Sequence, residues 1–224
     1  MKNLQSKSNG RVNSSKKQSI SKDKIYNVII LDESGSMESI KSNIISGFNE
    51  VIQSITGIEK QFPEQEHLVS FVTFNGSGIK VHIENQPIKG IRPIDERSYN
   101  PDSVTPLFDA IGMTVSKLKT YLKKEKNYNV LVTILTDGLE NASKEYSGKQ
   151  IKDLIENLKI DKWTFTYIGT DHDIEKIESS ISIKNTLFFH RDEESIQKMF
   201  VAERDSRFGL YKDISEENSK KAKK

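Results

Sequence analysis

Between residues 25 and 204 the chain alternates two hydrophobic rhythms. Ile25–Leu31 is a short, nearly continuous apolar run, the pattern of a parallel strand buried on both faces. Ile40, Ile44, Ile45, Phe48, Val51, Ile52 and Ile55 then recur at steps of three and four, which predicts an amphipathic helix. A second apolar run, Leu68–Phe74, meets the turn Asn75-Gly-Ser-Gly78, and Ile79–Glu84 alternates apolar with polar. That link is too short for a crossover helix, so the spacing predicts a hairpin with an antiparallel edge strand. Residues 85–104 carry three prolines and no clear period, and they predict a long surface loop. A helix follows Pro106, with its face marked by Leu107, Phe108, Ile111, Val115, Leu118 and Leu122. Asn129–Thr136 is a strand, Ile151, Leu154, Ile155 and Leu158 mark a helix, and Trp163–Ile168 and Thr186–Phe189 are the last two strands. A final helix is predicted from about Asp192 to Arg204.

Strands alternating with helices imply an α/β fold, doubly wound and Rossmann-like, with a mostly parallel sheet and helices on both faces. In such sheets, ligands bind beyond the carboxyl ends of the strands, where the strand order reverses. Asp32 follows the first strand and Asp137 the fourth, neighbours at that point; Thr105 can reach the same crevice from its loop.

The flanks differ in character. Residues 1–24 hold seven Lys or Arg against the single acid Asp23, with few apolar groups, and are predicted to be a disordered basic arm. Residues 25–205 form the domain, and 206–224, ending in Lys-Lys-Ala-Lys-Lys, are predicted to be a solvated tail. Without interleaved aromatics, neither flank reads as a nucleic-acid arm.

Composition narrows the chemistry. With 34 Lys and Arg against 32 Asp and Glu, the net charge of +2 singles out neither nucleic acid nor a membrane surface. There is no cysteine, which removes disulfides, thiolate ligands and cysteine nucleophiles together. No stretch approaches the roughly 18 apolar residues of a spanning helix, and a cytoplasmic location is expected.

Asp32, Ser34 and Ser36 present a carboxylate and two hydroxyls at alternate positions as a strand ends. Oxygen donors of this kind suit a hard divalent cation that keeps several waters. The same residue types also cap helices, so the trio alone is ambiguous. Thr105 and Asp137 tip the balance towards a metal. Other signals read as ordinary structure. Ser147-Gly-Lys149 lacks the rest of a phosphate loop, His67, His82 and His190 have no zinc-type spacing, and Glu33 reads as a rim residue without a role. Asp171-His-Asp173 reads first as a helix cap and second as a further metal or partner contact.

These pieces carry a family resemblance. Asp32-Glu-Ser-Gly-Ser36 resembles the Asp-x-Ser-x-Ser core of the metal-ion-dependent adhesion site of von Willebrand factor type A domains. Thr105-Pro-Leu-Phe-Asp-Ala110 is similar to the family's threonine loop, and Leu135-Thr-Asp-Gly138 to its Thr-Asp-Gly turn. Many members have glycines just before the threonine, where this chain reads Asp102-Ser-Val. The resemblance implies a sheet of six strands in the order 3-2-1-4-5-6, with strand 3 antiparallel at the edge. It implies a complete site in which Ser34, Ser36 and Thr105 ligate through hydroxyls, and Asp32 and Asp137 directly or through water. Mg²⁺ is the expected ion, with Mn²⁺ or Ca²⁺ as alternatives, and the expected role is non-enzymatic.

A partner protein would place an Asp or Glu on the metal. In character the chain looks closest to stand-alone intracellular bacterial or phage members, some of which act as adaptors in complexes with AAA-type ATPases. Two alternatives remain: a metal-dependent phosphotransfer or hydrolytic enzyme using the same crevice, and a nucleic-acid-binding adaptor. The former is weakened by Ser34, which stands where such phosphatases carry a second carboxylate.

Overall fold

A computed structural model describes residues 22–170, 177 and 180–222. Six strands, β1 (Asp23–Asp32), β2 (Gln65–Asn75), β3 (Gly78–Pro87), β4 (Tyr128–Leu135), β5 (Trp163–Gly169) and β6 (Asn185–Phe188), form one sheet in the order β3-β2-β1-β4-β5-β6. β1, β2, β4, β5 and β6 run parallel, and β3 pairs antiparallel with β2. This is the predicted topology. The main difference among the strands is β3, which reaches Pro87 and so takes up the start of the expected loop.

Among the described residues, the long helices α1 (Lys41–Gln61), α2 (Leu107–Leu122), α3 (Gly148–Lys159) and α4 (Glu193–Ala222) cover the sheet. One core joins α2 and α3, with Ile177 and Ile181, to Val28, Ile30, Val130, Val132 and Ile134. The other joins α1 and the first turns of α4 to Ile29, Leu31, Val69, Phe71 and Leu135. Alternate residues of β1 therefore face opposite cores, which is why its sequence is apolar throughout. Each such side chain contributes about 1.5–3 kcal/mol of burial. α1 and α4 approach closely: a Cβ on Gly47 would stand 2.0 Å from the Phe200 ring.

The end of the chain corrects the sequence reading. α4 continues through the predicted tail to Ala222, and Arg207 and Tyr211 are buried. Tyr211 packs with Ile25, Ile58 and Leu131, backed by Phe62, Leu210 and Ile214. The charged composition of residues 206–222 hid a narrow contact stripe at helical spacing. The expected arm, apart from residues 22–24, and Asp171-His-Asp173 lie outside the described residues.

Beneath α4 runs a buried polar chain. Arg207 donates from Nε to Glu203 Oε1 (2.8 Å), from Nη1 to Asn27 Oδ1 (3.0 Å) and from Nη2 to Thr133 Oγ1 (2.7 Å). His67 stands edge-on to Tyr211 with ring centroids 4.6 Å apart, and its Nε2 pairs with Gln65 Oε1 at 3.1 Å. Gln65 Oε1 can only accept, so Nε2 carries a proton, and the Asn27 amide nitrogen, a donor 3.5 Å from Nδ1, leaves that atom as the acceptor of a neutral ring. Burial, then the nearby Arg207 charge, lowers its pKa from 6.5 to about 4. A base depressed in this way stabilises the fold above its unfolded pKa, and that contribution is lost as pH falls towards 4. Following the His67 ring protons by NMR should give a midpoint near 4; a midpoint near 6.5 would contradict the buried neutral ring.

Candidate metal centre

The register of β1 on β4 pairs Leu31 with Leu135, so the next residues of both strands leave the sheet side by side. Asp32 and Thr136 meet at once: Thr136 Oγ1 donates to Asp32 Oδ2 at 2.6 Å. Asp32 Oδ1 accepts the Ser34 amide at 2.7 Å, which bends the chain so that successive hydroxyls point back over the sheet. Ser34 Oγ lies 3.3 Å from Ser36 Oγ, and Ser36 Oγ donates to Asp137 Oδ1 at 2.5 Å. Thr105 completes the group: a Cβ on Gly138 would lie 3.5 Å from Thr105 Oγ1 and 3.6 Å from Ser36 Oγ. The crevice thus gathers all five residues that the sequence nominated. Asp32, Ser34, Thr105 and Asp137 are buried, while Ser36 is exposed at the mouth.

The loops around them are fixed by bonds that no periodicity reveals. Glu33 is buried rather than at a rim, and its Oε1 accepts the Asn100 amide at 2.6 Å. The Asp102 amide donates to Glu33 O at 2.9 Å, and Gly35 N donates to Ser103 O at 3.0 Å. Tyr99, fully buried, donates its hydroxyl to Asp32 O at 2.7 Å. The segment before Thr105 is thereby stitched to the end of β1. Ser103 has φ +70°, the left-handed region that glycine occupies most readily. The glycine-rich form of this loop has a backbone reason, and here a serine adopts it at a cost of about 1–2 kcal/mol.

On the other side, Asn141 grips Thr105 at both ends of its backbone. The Thr105 amide donates to Asn141 Oδ1 at 2.9 Å, and the Asn141 amide to Thr105 O at 3.2 Å. Glu140 Oε2 accepts the Phe108 amide at 2.8 Å, satisfying a free donor in the first turn of α2. Ser147 is the N-cap of α3 in a reciprocal capping box with Gln150, which accounts for it without a phosphate.

The electrostatics are those of a deprived acid. Burial is the largest influence on Asp32 and raises its pKa to about 6; the bonds from Thr136 and Ser34 pull it down, and the charge of Asp137 pushes it up. Ionised Asp32 is therefore costly at neutral pH unless positive charge is near. A positive group beside the second acid, Asp137, was invisible in the sequence. Arg191 Nη2 lies 3.0 Å from Asp137 Oδ2 and donates to Asp137 O at 3.2 Å.

Among the described residues, no three His, Asp or Glu side chains gather as a metal cluster. The donor set here is instead two carboxylates and three hydroxyls, all oxygen, and it fits a hard divalent ion. No described helix is long and apolar enough to cross a membrane.

Comparisons with known proteins agree with this architecture. The family model "von Willebrand factor type A domain" matches residues 28–202. A search of curated protein sequences gives no match. Among solved structures, proximal thread matrix protein 1 from the mussel byssus is 14% identical, with a TM-score of 0.52 over 81% of this chain and 45% of that one. The pilus adhesin SpaC from Lactobacillus rhamnosus GG, in its open conformation, is 11% identical, with a TM-score of 0.58 over 83% of this chain and 30% of that one. The VWA domain of SpRpn10 is 10% identical, with a TM-score of 0.51 over 78% of this chain and 92% of that one. At these identities the likeness is one of fold, and the chain spans less than half of the first two proteins.

Proposed function

Because the chain belongs to the von Willebrand factor type A domain family, whose members typically mediate protein–protein interaction, we propose that it is a metal-dependent protein-binding module. Mg²⁺ is the ion proposed, with Mn²⁺ or Ca²⁺ as alternatives, and the ligand is an Asp or Glu of a partner protein. The observation that carries this reading is the convergence of Asp32, Ser34, Ser36, Thr105 and Asp137 in one crevice at the ends of β1 and β4.

The chemistry follows from the donor types. A bound cation supplies an electrophilic point with replaceable water, since three of its five neighbours are uncharged hydroxyls. Asp32 and Asp137 supply the negative charge that holds it. Ser34, Ser36 and Thr105 orient it without neutralising it further. Thr136 and the Ser34 amide fix the Asp32 carboxylate, and Asn141 holds the Thr105 backbone. An outside carboxylate would find there an uncompensated positive charge to bind. The turn at 76–77 and the loops at 99–104 and 138–143 border the crevice and would select among partners. The setting proposed is the cytoplasm of a bacterial or phage system, within an assembly that includes an AAA-type ATPase.

The test is capture from native lysate on immobilised protein in Mg²⁺, in chelator, and with Thr105→Ala in Mg²⁺. Partners retained in the first condition and lost in the other two are expected. Recovery of the same set in all three would refute metal-bridged docking.

A further inference from the structure

We propose that Arg191 is a built-in counter-cation of the crevice, which holds the Asp137 carboxylate when no metal is present and competes with a divalent ion for it. This inference deepens the metal-site reading and rests on it.

The two acids of the crevice are both buried, and ionised Asp32 and Asp137 repel one another. A guanidinium cannot lose its charge at any ordinary pH, so Arg191 is a permanent positive group placed against one member of that pair, Asp137. Its contact is specific, since one nitrogen, Nη2, reaches both the side chain and the carbonyl of Asp137. The two partners differ sharply in exposure: the Asp137 side chain is 0% exposed and that of Arg191 is 49%. Asp137 is therefore fixed, whereas Arg191 approaches from the mouth and can rotate into solvent.

The backbone that carries Arg191 is held on both sides. The Phe189 amide donates to Gly169 O at 3.1 Å, and the His190 amide to Ser195 Oγ at 2.8 Å. Asp192 Oδ1 accepts the Ser195 amide at 2.8 Å in the first turn of α4. Only the side chain of Arg191 is free to leave. A divalent ion held through Ser36 and Asp137 would share the Asp137 carboxylate with the guanidinium, and like charges at that range repel. Arg191 thus lowers divalent affinity while relieving repulsion in the metal-free crevice.

Titration calorimetry of Mg²⁺ and Mn²⁺ on chelator-stripped full-length protein, for wild type, Arg191→Gln and Arg191→Lys, tests this. Thermal denaturation in chelator is run on the same samples. Arg191→Gln should bind both ions roughly fivefold more tightly, as a half-exposed charge contact predicts, and should melt earlier than wild type in chelator. Arg191→Lys keeps the charge and should stay close to wild type in affinity. If wild type binds and Arg191→Gln binds equally or more weakly, the counter-cation role is wrong while the metal site stands. If no variant binds either ion, the metal-site reading fails and takes this inference with it.

Discussion

Arg207→Ala should destabilise the protein by about 3–5 kcal/mol, the usual cost of stranding one partner of a buried ion pair. Glu203 and Arg207 are 4% and 3% exposed, and every guanidinium nitrogen of Arg207 donates to a buried acceptor. Removing the side chain leaves Glu203 with no counter-ion and Thr133 Oγ1 short of a donor, while Asn27 Oδ1 keeps only the Tyr211 hydroxyl. For a domain of this size the midpoint of thermal unfolding should fall by roughly 6–20 °C. The double variant Glu203→Leu/Arg207→Met should regain most of that loss, since apolar residues of similar volume commonly replace a buried pair without penalty. Urea denaturation of the three proteins decides the matter. A loss below about 1 kcal/mol in the single variant would mean that water reaches Glu203 and that the pair is not desolvated.

The same residues show where the sequence stops being legible. The strands and the ends that form the crevice could be read because each depends on a local signal, whereas the strand order came with the family resemblance. Apolar runs mark β1 and β4, and the ligands follow directly at their ends, so a parallel register is enough to bring Asp32 beside Asp137. Thr105 was legible because it precedes a helix whose start is marked by Pro106. Arg207 had no such signal. Its partners Asn27 and Thr133 lie on β1 and β4, far away in sequence, and the segment around it is too charged to look like core. A polar stripe buried under a helix gives no hydrophobic period, so the sequence pattern ends the domain at residue 205, inside α4 and ahead of its anchor. Arg191 was missed for a related reason: its contact with Asp137 spans 54 residues and depends on where β6 releases the chain. Glu33 shows the opposite error. A charged residue between two ligands looked like a rim position, yet its carboxylate is turned inward to hold the Asn100 amide. The strain at Ser103 is likewise a property of the backbone path, and only the family's preference for glycine hinted at it.

Asp32→Asn should separate what the crevice does from what it costs the fold. The amide keeps the shape of the carboxylate: its oxygen can accept the Ser34 amide, and its NH₂ can donate to Thr136 Oγ1, which still donates to Gly138 O at 3.0 Å. The charge is lost, however. A buried carboxyl whose folded pKa is raised from 3.8 to about 6 favours the fold in its protonated form. Its ionisation therefore costs stability progressively from pH 4 to pH 6, and fully above pH 6. The amide escapes that cost, so above pH 6 the metal-free variant should be more stable than wild type by about 2–3 kcal/mol, and near pH 4 the two should converge. His67 works in the opposite direction over nearly the same range, because its neutral form is the one the fold accommodates. In wild type the two contributions offset one another; in Asp32→Asn the His67 contribution is exposed, and stability should fall visibly as pH drops from 7 to 4. Metal binding should show the inverse effect. With one of its two negative charges gone, the crevice should lose at least about 100-fold in Mg²⁺ affinity, and Mg²⁺ should no longer raise the midpoint of thermal unfolding. Calorimetry beside denaturation at pH 4, 5, 6 and 7 reads both effects from one pair of proteins. A variant that is less stable at pH 7 yet still responds to Mg²⁺ would show that Asp32 serves the fold and not the ion. The expected pairing, higher stability with the ion's grip lost, is that of a carboxylate kept buried at a cost because a cation needs it.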